Sequence, residues 1–120
     1  MNERIRFTDH QGKQILFVDC SHCPAATVEE IVRKVPDVVA AQPPRSVLIL
    51  ADFTGAAFNS ETLRCMKEAA VFDKPYIRKT AWFGAEDIPY EFTKILSSYS
   101  LREFPSFKTR EEALEWLVKD

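Results

Sequence analysis

Glycine and cysteine are scarce in this chain, with three of each in 120 residues, and neither sign of charge is in marked excess. The three glycines, Gly12, Gly55 and Gly84, are far apart and form no Gly-rich phosphate loop, and no Gly-x-Ser-x-Gly, His-Glu-x-x-His or comparable catalytic spacing occurs. The small, odd number of cysteines excludes the disulfide framework of a secreted miniature domain and fits a reducing compartment. A formal charge of −2, from 16 basic and 18 acidic residues, gives no field that would draw the chain to DNA or RNA. Long hydrophobic runs are missing too: Val47 to Ala51 and Ala56 to Phe58 fall far short of the roughly 20 residues that span a bilayer. Met1 to His10 is strand-like, with no basic stretch leading into an apolar one, so no secretory signal and a cytoplasmic location are expected.

What is present suits one ordinary core: 46% of the residues are hydrophobic, enough for a single domain over residues 1–120. Arg4 to Asp9 alternates polar with apolar residues, His10-Gln11-Gly12 supplies a turn, and Lys13 to Asp19 carries Ile15-Leu16-Phe17-Val18, which predicts an opening hairpin. Val28, Ile31, Val32, Val35, Val38 and Val39 then follow helical spacing. A Thr27/Glu30 capping box is expected to start that helix and Pro36 to kink or break it. The unbroken apolar run Val47 to Ala51 within Ser46–Asp52 predicts a central strand buried on both faces.

A second helix is predicted over Ser60–Phe72 and a strand over Tyr76–Phe83, ended by Gly84. Phe92, Ile95, Leu96 and Tyr99 mark a third helix, with Asp87 as its cap and Pro89 in its first turn. Leu101 to Phe104 reads as a short last strand. Thr109 to Glu112 forms a second capping box, opening a final helix Arg110–Val118 that buries Ala113, Leu114, Trp116 and Leu117. The order ββαβαβαβα predicts an α/β domain with a mostly parallel five-stranded sheet, one antiparallel edge strand and four main helices.

The stretch Asp52 to Leu63, DFTGAAFNSETL, holds a carboxylate and several hydroxyls where a buried strand meets a helix start, the position at which α/β domains collect functional groups. Capping by Ser60 or Asn59, strand termination by Asp52 and a turn at Gly55 would account for these residues without any function. Together with the element order, the stretch resembles the STAS domains, the SpoIIAA-like family of anti-sigma-factor antagonists. In that family a strand ends in Asp-hydrophobic-Ser-Gly and an Asp-Ser-Ser-Gly segment begins the next helix. Asp52, Phe53, Thr54, Gly55 and Phe58 match the first part, and Ser60, Glu61, Thr62 and Leu63 stand where the second would be.

The resemblance implies a binding domain switched by phosphorylation, with Thr62 at the phosphoacceptor position and Ser60 the nearest other hydroxyl. Phe107, Glu111-Glu112-Ala113 and Leu114-Glu115-Trp116-Leu117 further resemble the ending of a divergent bacterial SpoIIAA-like branch, itself similar to the lipid-binding CRAL-TRIO fold. That likeness implies protein regulation or apolar-ligand binding.

Cys20-Ser21-His22-Cys23, between a strand and a helix, opens a rival reading as a thiol pair, or as metal ligands with Cys65 or His10; small half-buried thiols in a loop are the plain alternative. Arg78 and Lys79, with Lys74 before them, either bind an anion or guard a strand edge. Tyr90, Phe92, Ile95, Leu96 and Tyr99 give the third helix an apolar arc wide enough to cover a pocket or meet a second copy in a homodimer. The expectation is therefore a non-enzymatic regulatory domain with no cofactor and no resident metal. It would bind a protein partner through Asp52, Thr54, Asn59, Ser60 and Thr62, the alternatives being an apolar-ligand carrier and a thiol protein using Cys20 and Cys23.

Overall fold

The structure, a computed structural model, describes residues 4–85 and 88–119. Among them the order is β1 (Ile5–His10), β2 (Lys13–Asp19), α1 (Ala25–Val39), β3 (Val47–Asp52), α2 (Ser60–Asp73), β4 (Ile77–Phe83), α3 (Tyr90–Ser100), β5 (Ser106–Phe107) and α4 (Arg110–Val118). The strands lie side by side in chain order; β1 pairs antiparallel with β2 and every later pair is parallel. This is the expected fold class, with β3 in the centre.

Side-chain alternation divides the core in two. Leu16 and Val18 of β2 and Ile49 and Ala51 of β3 face α1, α2 and α3, where they meet Val28, Ile31, Met66 and Leu96. Ile15, Phe17, Leu48, Leu50 and Ala81 face the other way and are covered by Ala113, Leu114 and Leu117 of α4. β3 is thus buried on both faces, which is why its sequence runs apolar without alternation.

Five local expectations are corrected. α1 starts at Ala25 with Pro24 as its N-cap residue, two residues before the Thr27 box, because Thr27 N–H already bonds to Pro24 O. Nor does Pro36 break α1: the helix continues to Val39, since one lost donor is outweighed by burial of Val32, Val35 and Val39. The last strand is Ser106–Phe107, not Leu101–Phe104. Leu101 instead closes α3 in the left-handed region (φ 58°), and Arg102 and Phe104 turn inward, Phe104 onto Trp82 with ring centroids 5.3 Å apart. Trp116 is only half-buried, its ring lying under Lys79 Nζ at 4.8 Å. Pro89 is the residue just before α3, and the Asp87 cap lies outside the described residues.

Candidate functional site

The C-terminal ends of β2, β3 and β4 lie side by side, and the loops that leave them are bonded into one surface. Cys20 N–H donates to Asp52 O (2.8 Å), His22 N–H to Thr54 O (2.7 Å), Ala57 N–H to Cys23 O (2.9 Å) and Phe53 N–H to Phe83 O (3.0 Å). Two glycines permit this closeness. A Cβ on Gly55 would stand 2.6 Å from His22 Nδ1, and one on Gly84 would stand 2.0 Å from Thr54 Oγ1 and 2.8 Å from Thr54 N; both residues have positive φ.

Asp52 ends β3 by accepting two hydrogen bonds on Oδ1, from Thr54 N–H (2.9 Å) and Thr54 Oγ1 (2.7 Å). Its neighbour in register, Asp19, ends β2 the same way, accepting from Ser21 N–H (3.0 Å) and Ser21 Oγ (2.6 Å). The twin was legible as D-C-S beside D-F-T, two residues apart in each case, but only the second was singled out. Burial raises the Asp19 pKa, yet the Ser21 bonds and Arg4, 3.7 Å away, outweigh it and hold the carboxyl below its ordinary value.

Below the loop lies an aromatic clamp. Phe53 meets Trp82 edge-on at 5.0 Å and Phe58 at 5.5 Å, and Phe58 in turn meets Phe92 of α3 at 5.5 Å. Its buried side is therefore fixed while Thr54, Ala57, Asn59 and Ser60 stay exposed.

At the start of α2, Asn59 is the cap: Oδ1 accepts from Thr62 N–H (3.0 Å), and Thr62 Oγ1 accepts from Asn59 N–H (3.2 Å). Thr62 is fully buried (0% exposed), and its one hydroxyl proton is directed to Asn59 Oδ1 (3.0 Å) or to Glu29 Oε2 on α1 (3.3 Å). Ser60, in the first helical position, carries the exposed hydroxyl. Glu61 beside it pairs with Arg64 at 2.9 Å.

Cys20, Cys23 and Cys65 are all buried and none is in a disulfide. Burial, reinforced by Cys23, pushes the Cys20 thiol up to about 12, and burial likewise raises Cys23, whose Sγ–H points at Ser21 O (3.5 Å). A reactive thiol needs the opposite shift. Nor do Cys20, His22, Cys23 and Cys65 converge: among the described residues no three His, Cys, Asp or Glu side chains gather as a metal requires.

Between the sheet and the helices lies a cavity of about 80 Å³, walled by apolar groups such as Val32, Ile49, Met66, Leu96 and Trp82, with Asp73, Thr80 and Arg102 at its polar end. Sequence reasoning missed that end, because neither Asp73 nor Arg102 belongs to a motif. Asp73 is 4% exposed, and its Oδ1 has no hydrogen-bond partner among the described residues. Arg102 donates to Ala70 O (3.0 Å) and Thr80 Oγ1 (2.6 Å).

No family model and no curated protein matches the chain. Solved structures do. One is an uncharacterized protein of the DUF3478 family with a SpoIIAA-like fold from Shewanella loihica PV-4, with a TM-score of 0.67 at 16% identity over 94% of this chain and 91% of that one. Another is an anti-sigma-factor antagonist (STAS) domain protein from Planctomyces limnophilus, with a TM-score of 0.62 at 17% identity over 96% and 98%. The chain has the SpoIIAA-like, or STAS, fold. In that fold, as described here, Asp52 to Thr62 occupy the junction between the central strand and α2, and α4 alone covers the opposite face of the sheet.

Proposed function

We propose that this STAS-like domain is a non-enzymatic regulator that binds a protein partner through the surface formed by residues 52–62 and the exposed side of α2. The observation that carries the reading is how that surface is held: its backbone is tied to two neighbouring loops, its underside is clamped by Phe53 and Phe58, and its outer side chains are exposed. A preformed surface loses little conformational freedom on binding. Within it, Asp52, Asn59 and Thr62 hold the shape while Thr54, Ala57 and Ser60 meet the partner.

Ser60 is the place for a switch. A phosphate there would lie at the positive end of α2 and beside Arg64, which would draw it in, while Glu61 would oppose it. Mass spectrometry of the protein purified from its source organism tests this directly. A phosphate on Ser60 supports the switch, whereas phosphate confined to Thr62 would mean that α2 must open first.

The cavity beneath the helices favours a second reading, carriage of an apolar ligand. About 80 Å³ is roughly half the volume of an engineered cavity that holds benzene, so the ligand would be a small apolar molecule and not an acyl chain. The same sample checks it, since such a ligand would appear as an organic mass released on denaturation. Ile95 and Tyr99 remain exposed on one side of α3 and would form the contact through which a homodimer packs, measurable by sedimentation with and without Ile95→Lys.

A further inference from the structure

At the other end of the sheet, where β3 and β4 begin, a cleft of about 740 Å³ opens between the start of β4, the Leu101–Glu103 segment and Trp116. That volume is within the range of roughly 300–1,000 Å³ typical of small-molecule sites. Five cations line it, Arg45, Lys74, Arg78, Lys79 and Arg102, against one carboxylate, Glu103.

Two of the five are already engaged. Lys79 Nζ donates to Trp116 O (3.1 Å) and Lys119 O (2.5 Å) at the end of α4, and Arg102 is held by Ala70 O and Thr80 Oγ1. Arg45, Lys74 and Arg78 are exposed and make no ion pair with any described residue.

The backbone is irregular at two of the three places that supply these groups, Lys74 lying in ordinary helical backbone at the end of α2. Arg45 sits in the left-handed region (φ 55°), which costs a non-glycine residue roughly 1 kcal/mol or more. In β4 the register steps from Val47↔Ile77 to Leu48↔Lys79, leaving Arg78 as an extra, bulged residue. The cleft follows the open edge of β4, so Ile77 to Thr80 all line it in succession and the bulged Arg78 is presented there beside Lys79. Edge protection is an incomplete account of them: the outer side of β4 is unpaired up to Ala81, but Arg45 and Lys74 lie outside the strand.

We propose that this cleft binds a phosphorylated small molecule or headgroup, the phosphate being held by Arg45, Lys74 and Arg78 and its organic part resting on Pro44, Pro75 and Leu101. Guanidinium forks match phosphate oxygens two by two, and a group carrying two charges suits three uncommitted cations and one carboxylate. The site is separate from the 52–62 surface, so either can fail without the other.

The test uses the full chain, pyrophosphate as the soluble probe, and phosphatidylcholine vesicles with and without phosphatidylinositol 4-phosphate, followed by amide NMR and co-sedimentation. Saturable shifts at Arg45, Lys74 and Ile77–Thr80 with pyrophosphate are expected for a free ligand, and sedimentation only with the phosphoinositide for a lipid headgroup. Arg78→Glu should weaken either by about tenfold or more. Arg45→Gly separates binding from folding, because it relieves the left-handed residue while removing a cation: stability should hold or rise as affinity drops. Absence of binding to both probes, shifts centred on residues 52–62, or unchanged affinity in Arg78→Glu and Arg45→Gly would each overturn the proposal.

Discussion

Asp73 closes α2 with its carboxyl inside the protein, at a helix end whose carbonyls disfavour negative charge, and with one oxygen lacking any donor among the described residues. Burial lifts its pKa from 3.8 to about 7, against the pull of Arg102. Because the folded value is the higher one, the folded state binds more protons, and stability must fall as pH rises from about 4 to about 7. Asp73→Asn copies the neutral state, so its melting temperature should exceed the parent's above pH 7 and lose that slope, by an amount on the order of 1–4 kcal/mol. Melting curves of both proteins from pH 4 to 9 check this; parallel curves would contradict it. Asp19 works in the other direction and in another window, since its lowered value stabilises the fold above about pH 4 and is lost on further acidification. A second contrast lies in the glycines. Gly12 has open space where a Cβ would go, whereas Gly84 faces the backbone of Thr54, so Gly84→Ala should cost about 2 kcal/mol or more and Gly12→Ala only about 1 kcal/mol in denaturant unfolding.

The junction between β3 and α2 separates residues that shape the surface from residues that present it. Asn59→Ala removes both the cap and one of the two acceptors of the Thr62 hydroxyl, leaving Glu29, and should cost about 1 kcal/mol, read as a lower denaturant midpoint with unchanged slope. Ser60→Ala touches no hydrogen bond found in the structure and should leave the midpoint where it was. The sequence left Asn59 and Ser60 as equal candidates for the cap, because both residue types favour that position; the deciding factor was where the backbone turns, which depends on Phe58 packing against Phe53 and Phe92. The central strand and the Thr109 cap were legible, since a run of apolar residues and a hydroxyl three residues before Glu112 each follow from local chemistry. Pro36 and the last strand were misread for the converse reason. Tertiary burial carried α1 through its proline, and inward packing of Arg102 and Phe104 displaced β5 by a few residues.

Taken as a whole molecule, the domain has two chemically distinct ends on one sheet. The C-terminal ends of the strands carry a hydroxyl-bearing surface, and the N-terminal ends carry a cationic cleft. The first was visible in sequence because its residues are contiguous. Only part of the second was, since Lys74, Arg78 and Lys79 are neighbours while Arg45 and Arg102 join them solely through the fold. Arg102 and Thr80 line both the cleft and the apolar cavity, so the polar end of the core separates these two spaces. The central claim, that residues 52–62 form a partner-binding surface, is tested most directly by affinity capture from the source organism with the parent protein, Ala57→Arg, Ser60→Arg and the remote control Lys34→Ala, all exposed positions checked for equal melting temperature. The account predicts a protein retained in stoichiometric amount by the parent and by Lys34→Ala and lost from both arginine variants; retention of the same protein by all four would contradict it.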